Sequence, residues 1–154
     1  MARARGSKVV SVERVIPAPA QRLFDVVADP AMHSVIDGSG TVKALRKGSP
    51  ERLSLGARFG IAMRIGVPYP ITNTVVEFEE GRQLAWEHIG RARWRYCFEP
   101  VDAGTRVTES WDFSPSPRWL ALGYRLLRFP SRNRPGMERT LEQLESHVRS
   151  RQQD

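Results

Sequence analysis

From Gly56 onward the chain alternates: Phe59, Ile61, Met63 and Ile65 stand against Arg58, Gly60, Ala62 and Arg64. A period of two is the signature of an extended strand with one buried and one wet face. Such a strand cannot bury its apolar face alone, so it demands neighbours and a second layer. The neighbours follow: the pattern predicts strands over Ile71 to Glu79, Leu84 to His88, Ala92 to Val101 and Thr105 to Phe113, with Gly66 to Pro70 read as a loop and turns at Glu80-Gly-Arg82 and Asp102-Ala-Gly104. Ahead of them, Lys8 to Ile16 reads as a strand. A helix entered at Pro19 is stopped by Asp29-Pro30, because the residue before proline avoids helical geometry. Ala31 to Ile36 reads as a short helix, Asp37 to Gly40 as a turn and Thr41 to Leu45 as a short strand.

Register can be set by asking which pairing makes chemical sense on both faces. Position numbers that sum to 205 in the last hairpin and 180 in the one before align Glu87, Arg93 and Asp112 on one face, and Glu99 with Arg106. The same pairing puts Trp86, Trp94 and Trp111 in one row of the other face, Leu84, Tyr96 and Glu109 in a second, and His88, Ala92 and Phe113 in a third. Carried backwards, it sets Thr74 and Met63 beside His88, and Val76 and Ile61 beside Trp86. The sheet therefore has a wet face and an aromatic face. What covers the aromatic face comes after Pro135-Gly136, where Met137, Leu141, Leu144 and Val148 recur at helical spacing. The fold class predicted is α+β, a long antiparallel sheet closed by a helix.

A chain of 154 residues with 40% apolar content supports one core, so residues 8–150 are expected to form one domain between a basic tail at 1–7 and a tail at 151–154. The net charge of +7 suggests nucleic acid until it is located. Arg3, Arg5, Lys8 and the arginines at 118, 125, 128, 132 and 134 exceed that excess between them, leaving a nearly neutral body without a phosphate-binding face. No apolar run approaches the roughly 20 residues of a membrane span, and the basic start leads into no apolar signal segment, so the cytoplasm is the expected location. One cysteine and three histidines supply no zinc spacing, and neither a metal nor a cofactor is expected.

The residues Ile16-Pro-Ala-Pro-Ala20 with Leu23-Phe-Asp-Val-Val-Ala-Asp-Pro30, then Gly81-Arg-Gln-Leu-Ala-Trp86, Trp94-Arg-Tyr-Cys-Phe-Glu-Pro100 and Gly104-Thr-Arg-Val-Thr-Glu-Ser110, resemble the START-like, or Bet v 1-like (SRPBCC), helix-grip superfamily. Within it they resemble the polyketide cyclase/dehydrase and lipid transport branch, and the similarity runs from about Val9 to Val148. The resemblance implies a curved seven-stranded sheet gripping the last helix, with a cavity for an apolar or aromatic, lipid- or polyketide-like ligand. It implies no particular reaction. The chain departs from many relatives at His33-Ser-Val-Ile-Asp37, where a Trp or Pro often follows the first helix.

Several side chains are candidates for the cavity. Phe59, Ile61 and Met63 on one strand, and Thr74 and Val76 on the next, supply one wall. Trp86, His88, Trp94, Tyr96, Glu109 and Trp111 supply the sheet centre. Met137 and Leu141 supply the helix side. Glu109 is a carboxylate on an aromatic face. It serves either as a general acid or base or an anchor for a ligand hydroxyl, or as a structural group bonded to Tyr96 or ion-paired with Arg14. His88 is either a polar spot in the lining or a histidine satisfied by a neighbour. Cys97 alternates to the wet face, which does not suit a catalytic thiol, and Gly38-Ser-Gly40 lacks the strand-then-helix context of a phosphate loop. The segment Trp119 to Phe129, apolar with arginines, fits a lid, an anionic membrane surface or a dimer contact. Three functions thus stay open: binding of an apolar small molecule, a cofactor-free cyclase or dehydratase moving protons through Glu109 or His88, and a membrane or partner module built on residues 118–134.

Overall fold

The computed structural model describes residues 6–88 and 90–152, with Ile65 as backbone only. The expected tails at 1–7 and 151–154 fall mainly outside the described residues. Strand β1 (Val9–Ile16) leads to helix α1 (Ala20–Ala28), a 3-10 turn (Pro30–Met32), α2 (His33–Ile36) and β2 (Val42–Leu45). Then come β3 (Arg58–Ile65), β4 (Val67–Glu79), β5 (Gln83–Glu87), β6 (Arg93–Val101), β7 (Gly104–Asp112), α3 (Arg118–Leu126) and α4 (Phe129–Ser150). The strands form one antiparallel, open and curved sheet in the order β1-β7-β6-β5-β4-β3-β2, and the fold is the α+β helix grip. Among the described residues no helix is long and apolar enough to cross a membrane.

In β5, β6 and β7 the pairing is the one the two faces require. Trp86 lies opposite Trp94 and Trp94 opposite Trp111, while Tyr96 lies opposite Glu109. On the wet face Arg93 bonds Glu87 at 3.2 Å and Arg106 bonds Glu99 at 3.1 Å.

Farther out the expectation fails twice. The chain reverses at Gly66, whose φ of 70° suits glycine, so β4 begins at Val67 where a loop was expected, and Met63 pairs with Tyr69 rather than lying near Thr74. A shift in register between Val75 and Glu77 then sets Val75 opposite Trp86 and Thr74 opposite Glu87. The bulge exchanges the faces: Asn73 is buried across from Phe59, and Thr74 joins the wet side. Pro68 and Pro70 are tolerated in β4 because β5 reaches only as far as Thr74. The stretch from Val67 to Asn73 therefore has a neighbour on one side only, and an amide facing the other side has no partner to lose.

The closing helix carries the anticipated stripe, with Met137, Leu141, Leu144 and Val148 buried, but it starts eight residues before Met137. Pro130 sits in its first turn, where no amide is needed, and Pro135 is accommodated inside it. Arg14, on the inward face of β1 but at its edge, reaches Glu145 of α4 rather than Glu109. Arg149 meets the other oxygen of Glu145 at 2.7 Å.

The aromatic face is filled at both ends. At one end Phe24 of α1 meets Phe78 and Phe98 edge-on at 5.6 Å each. At the other, Tyr124 of α3 packs edge-on against Trp111 at 5.1 Å and Phe113 at 5.9 Å. The rows between them are left for the hollow.

Candidate functional site

That hollow is a cavity of about 470 Å³ between the middle of the sheet and helices α2, α3 and α4. Trp86, Trp94 and Trp111 border it, as do Tyr96, Glu109 and His88. Ile61, Met63 and Met137, also expected there, border it too. Four expected residues lie elsewhere. Phe59 is buried beneath the wall, Leu141 is core, and the bulge removes Thr74 and Val76, bringing Ile71 and Asn73 to the lining instead. Of the segment that fits a lid, a membrane surface or a dimer contact, Tyr124 and Phe129 border the cavity and pack on each other.

The helical side is pinned at one point. Gly38, just past α2, donates its amide to Thr140 Oγ1 at 2.9 Å, and its carbonyl accepts from Arg139 Nε at 2.8 Å. Thr140 in turn donates to the Gly136 carbonyl at 2.9 Å. A side chain at Gly38 has no room, since a Cβ built there lies 2.5 Å from the Gly136 carbonyl oxygen. Asp37 closes the adjoining turn by accepting from Ser39 and from the Val42 amide. Asp37 borders the cavity with both carboxylate oxygens already engaged.

Among the described residues, two of the polar side chains that border the cavity have a buried atom without a hydrogen-bond partner. Glu109 is 3% exposed, and its Oε2 has no hydrogen bond. Burial pushes its carboxyl up to about 8, against the opposing hydrogen bond from Tyr96 and with a further push from the negative Asp37. At neutral pH it is chiefly the uncharged acid. The same burial, with Glu109 beside it, holds the Tyr96 phenol in its neutral form.

The second group, His33, was not singled out as a site residue from the sequence. Its ring stacks on Trp86 at 4.8 Å and meets Phe59 edge-on at 5.4 Å. Nε2 lies 2.8 Å from the Val27 carbonyl oxygen, and its Nδ1 is buried without a partner. A carbonyl only accepts, so Nε2 carries the proton. Burial lowers the ring's basicity despite that bond and the nearby Asp29 and Asp37, which leaves Nδ1 a bare acceptor. The signal for this residue lies in the proline-bounded stretch around Pro30, which places a short helix without the periodicity that would announce its inward side.

Cys97 is half-buried on the outer face near Gln83, and burial pushes its thiol up, away from the reactive thiolate.

Comparison with known proteins gives these features a context. The family described as polyketide cyclase / dehydrase and lipid transport matches residues 7–149. Protein Rv0088 of Mycobacterium tuberculosis H37Rv is 37% identical over 134 residues, covering 84% of this chain and 59% of that protein, and the MT0096 protein of strain CDC 1551 matches equally. The chain thus spans well under two thirds of the length of these relatives. Among solved structures, protein NE0264 of Nitrosomonas europaea superposes with a TM-score of 0.74 at 16% identity, covering 97% of this chain and 99% of that one. The AHSA1-like protein of Aeromonas hydrophila gives 0.68 at 17% identity, with 95% of each chain covered. At such identities the likeness speaks for the fold.

Proposed function

The chain belongs to the polyketide cyclase/dehydrase and lipid transport family, and from that premise we propose that it binds an apolar or aromatic small molecule in the cavity between the sheet and α4. One observation carries the reading: an aromatic chamber of about 470 Å³ sits in the middle of the sheet face, bordered by two buried residues that each have a polar atom without a partner. Its volume lies in the range of small-molecule sites, and a lining that combines apolar and aromatic side chains with polar groups is what such sites share. Stacked and tilted rings offer contact to a flat or greasy ligand. Native mass spectrometry of the purified protein tests this. The expected result is an added mass that denaturation releases. Bare protein alone, persisting after incubation with lipid and aromatic extracts, overturns it.

A second reading concerns how such a ligand arrives. On α3, Trp119, Leu122 and Leu126 share a face and are exposed, Trp119 by 75%. Arginines 118, 125, 128, 132 and 134 lie in and just after this helix, and no acid occurs from Phe113 to Met137. An apolar row among cations suits the surface of an anionic membrane, and Tyr124 and Phe129 connect this segment to the cavity wall. Flotation with phosphatidylserine vesicles should carry the wild-type protein and leave behind the double variant Arg125→Glu, Arg128→Glu. Equal flotation of the two removes this reading.

A further inference from the structure

Binding in an apolar chamber leaves open what makes it selective, and the two partnerless atoms bear on that. Both belong to side chains more than nine-tenths buried, His33 at 7% and Glu109 at 3% exposed, and both residues border the same cavity. They approach it from opposite layers, His33 from α2 and Glu109 from β7. Between them runs a floor of rings: His33 stacks on Trp86, Trp86 stacks on Tyr96 at 5.7 Å, and Tyr96 lies across the strand pair from Glu109.

The hydrogen-bond inventory of each end is fixed by its neighbours. With Nε2 committed to the Val27 carbonyl, the neutral ring has only an accepting lone pair at Nδ1. Its partner must bring an O–H or N–H. At the other end Oε2 belongs to a carboxyl whose second oxygen lies with Tyr96. In its protonated form that end can donate to a carbonyl or accept from a hydroxyl. A hydrocarbon or an unadorned acyl chain leaves both atoms desolvated and unpaired, and an anionic end at Glu109 meets the nearby Asp37 charge as well.

Resting on the reading of the hollow as a ligand site, we propose that His33 and Glu109 are its two polarity-selecting residues. The ligand they select is an uncharged, flat molecule with a hydroxyl or amine donor set against His33 Nδ1 and a carbonyl or hydroxyl set against Glu109 Oε2. A site built around buried hydrogen-bonding groups rejects an analogue that lacks the matching group far more sharply than an apolar pocket rejects a change of size.

The test uses three bicyclic probes of rising polarity: naphthalene, 2-naphthol and 6-hydroxy-2-naphthaldehyde. Each is titrated at neutral pH by calorimetry against the wild-type chain and the variants His33→Phe and Glu109→Leu. Phenylalanine retains the stack on Trp86 and the contact with Phe59 but loses the acceptor. The wild-type protein should bind the hydroxy-aldehyde most tightly and naphthalene least, each added polar group being worth about tenfold or more. His33→Phe should erase the gap between 2-naphthol and naphthalene, and Glu109→Leu the gap between the hydroxy-aldehyde and 2-naphthol. The wild-type series alone decides the matter if a variant fails to fold. Equal binding of all three probes overturns the proposal while the cavity reading stands. Binding of none overturns the cavity reading and the proposal with it.

Discussion

Replacing Glu109 with Gln should remove the part of the chain's stability that falls as pH rises from about 5 to about 9. Both side chains have nearly the same size, so the substitution removes the ionisation and little else. A carboxyl held at about 8 in the folded chain, against 4.5 when free, makes ionisation in the folded state harder by about 5 kcal/mol, at about 1.4 kcal/mol per pH unit. The direction follows from proton counting. Below the free value both states hold the proton and nothing is lost. Between the two values the folded chain keeps a proton that the unfolded chain has released, so stability falls as pH rises. Above about 8 both are ionised and the full penalty remains. By neutral pH about 3 kcal/mol of it is already present, a large part of the roughly 5–15 kcal/mol that holds a domain together. Urea denaturation followed by tryptophan fluorescence at steps from about pH 5 to about pH 9 measures it. The wild-type stability minus that of Glu109→Gln should fall by several kcal/mol across this window, other titrating groups cancelling in the difference. Parallel curves would refute the reasoning, since they would mean that Glu109 ionises as readily inside the protein as outside.

Three further outcomes are expected. His33 titrates the other way: its folded form resists protonation, so stability should drop as pH falls below the free histidine value of 6.5, and His33→Phe should lose that acid limb in the same denaturation series. Gly38→Ala should cost about 1–3 kcal/mol, read as a lower thermal midpoint, because its Cβ meets Arg139, Thr140 and the Gly136 carbonyl at 2.5 Å. At Glu145 burial raises the carboxyl but hydrogen bonds and charge from Arg14, with help from Arg149, bring it below its usual value. Arg14→Gln should therefore cost roughly 0.5–1 kcal/mol near neutral pH, a cost that shrinks in high salt and vanishes once acid protonates Glu145.

The centre of the fold was legible because two independent patterns had to agree. Opposite charges on one face and tryptophans on the other admit only one pairing of β5, β6 and β7, and that pairing is the observed one. The outer strands offered no such cross-check. Prolines 68 and 70 suggested a loop, since nothing local reveals that β5 stops short and frees one side of β4. The bulge at Val76 is equally silent, and with it went Thr74 and Val76 as lining residues and the arrival of Ile71 and Asn73. The sequence places the start of the closing helix after Pro135-Gly136, at Met137. Its true start depends on Pro130 in the first turn and on the packing of Phe129 against Trp111, a residue of the last strand that sequence periodicity does not bring to it. Glu109 was legible as a carboxyl on the wrong face. That Arg14 does not pair with it was not, because Arg14 shares the inward side of β1 and only the path of α4 decides that Glu145 takes it. His33 is not legible for a related reason: four residues of helix hold too little periodicity to show which way a side chain points.

The overhang of β4 has a consequence for the molecule at high protein concentration. From Val67 to Asn73 that strand extends past its neighbour, exposing a ribbon edge of the kind that recruits foreign chains into fibrils. Two imino residues spaced two apart on this ribbon withhold the amide protons a newcomer would need to dock. The features that disguised the strand in the sequence thus also act as its guard against self-association.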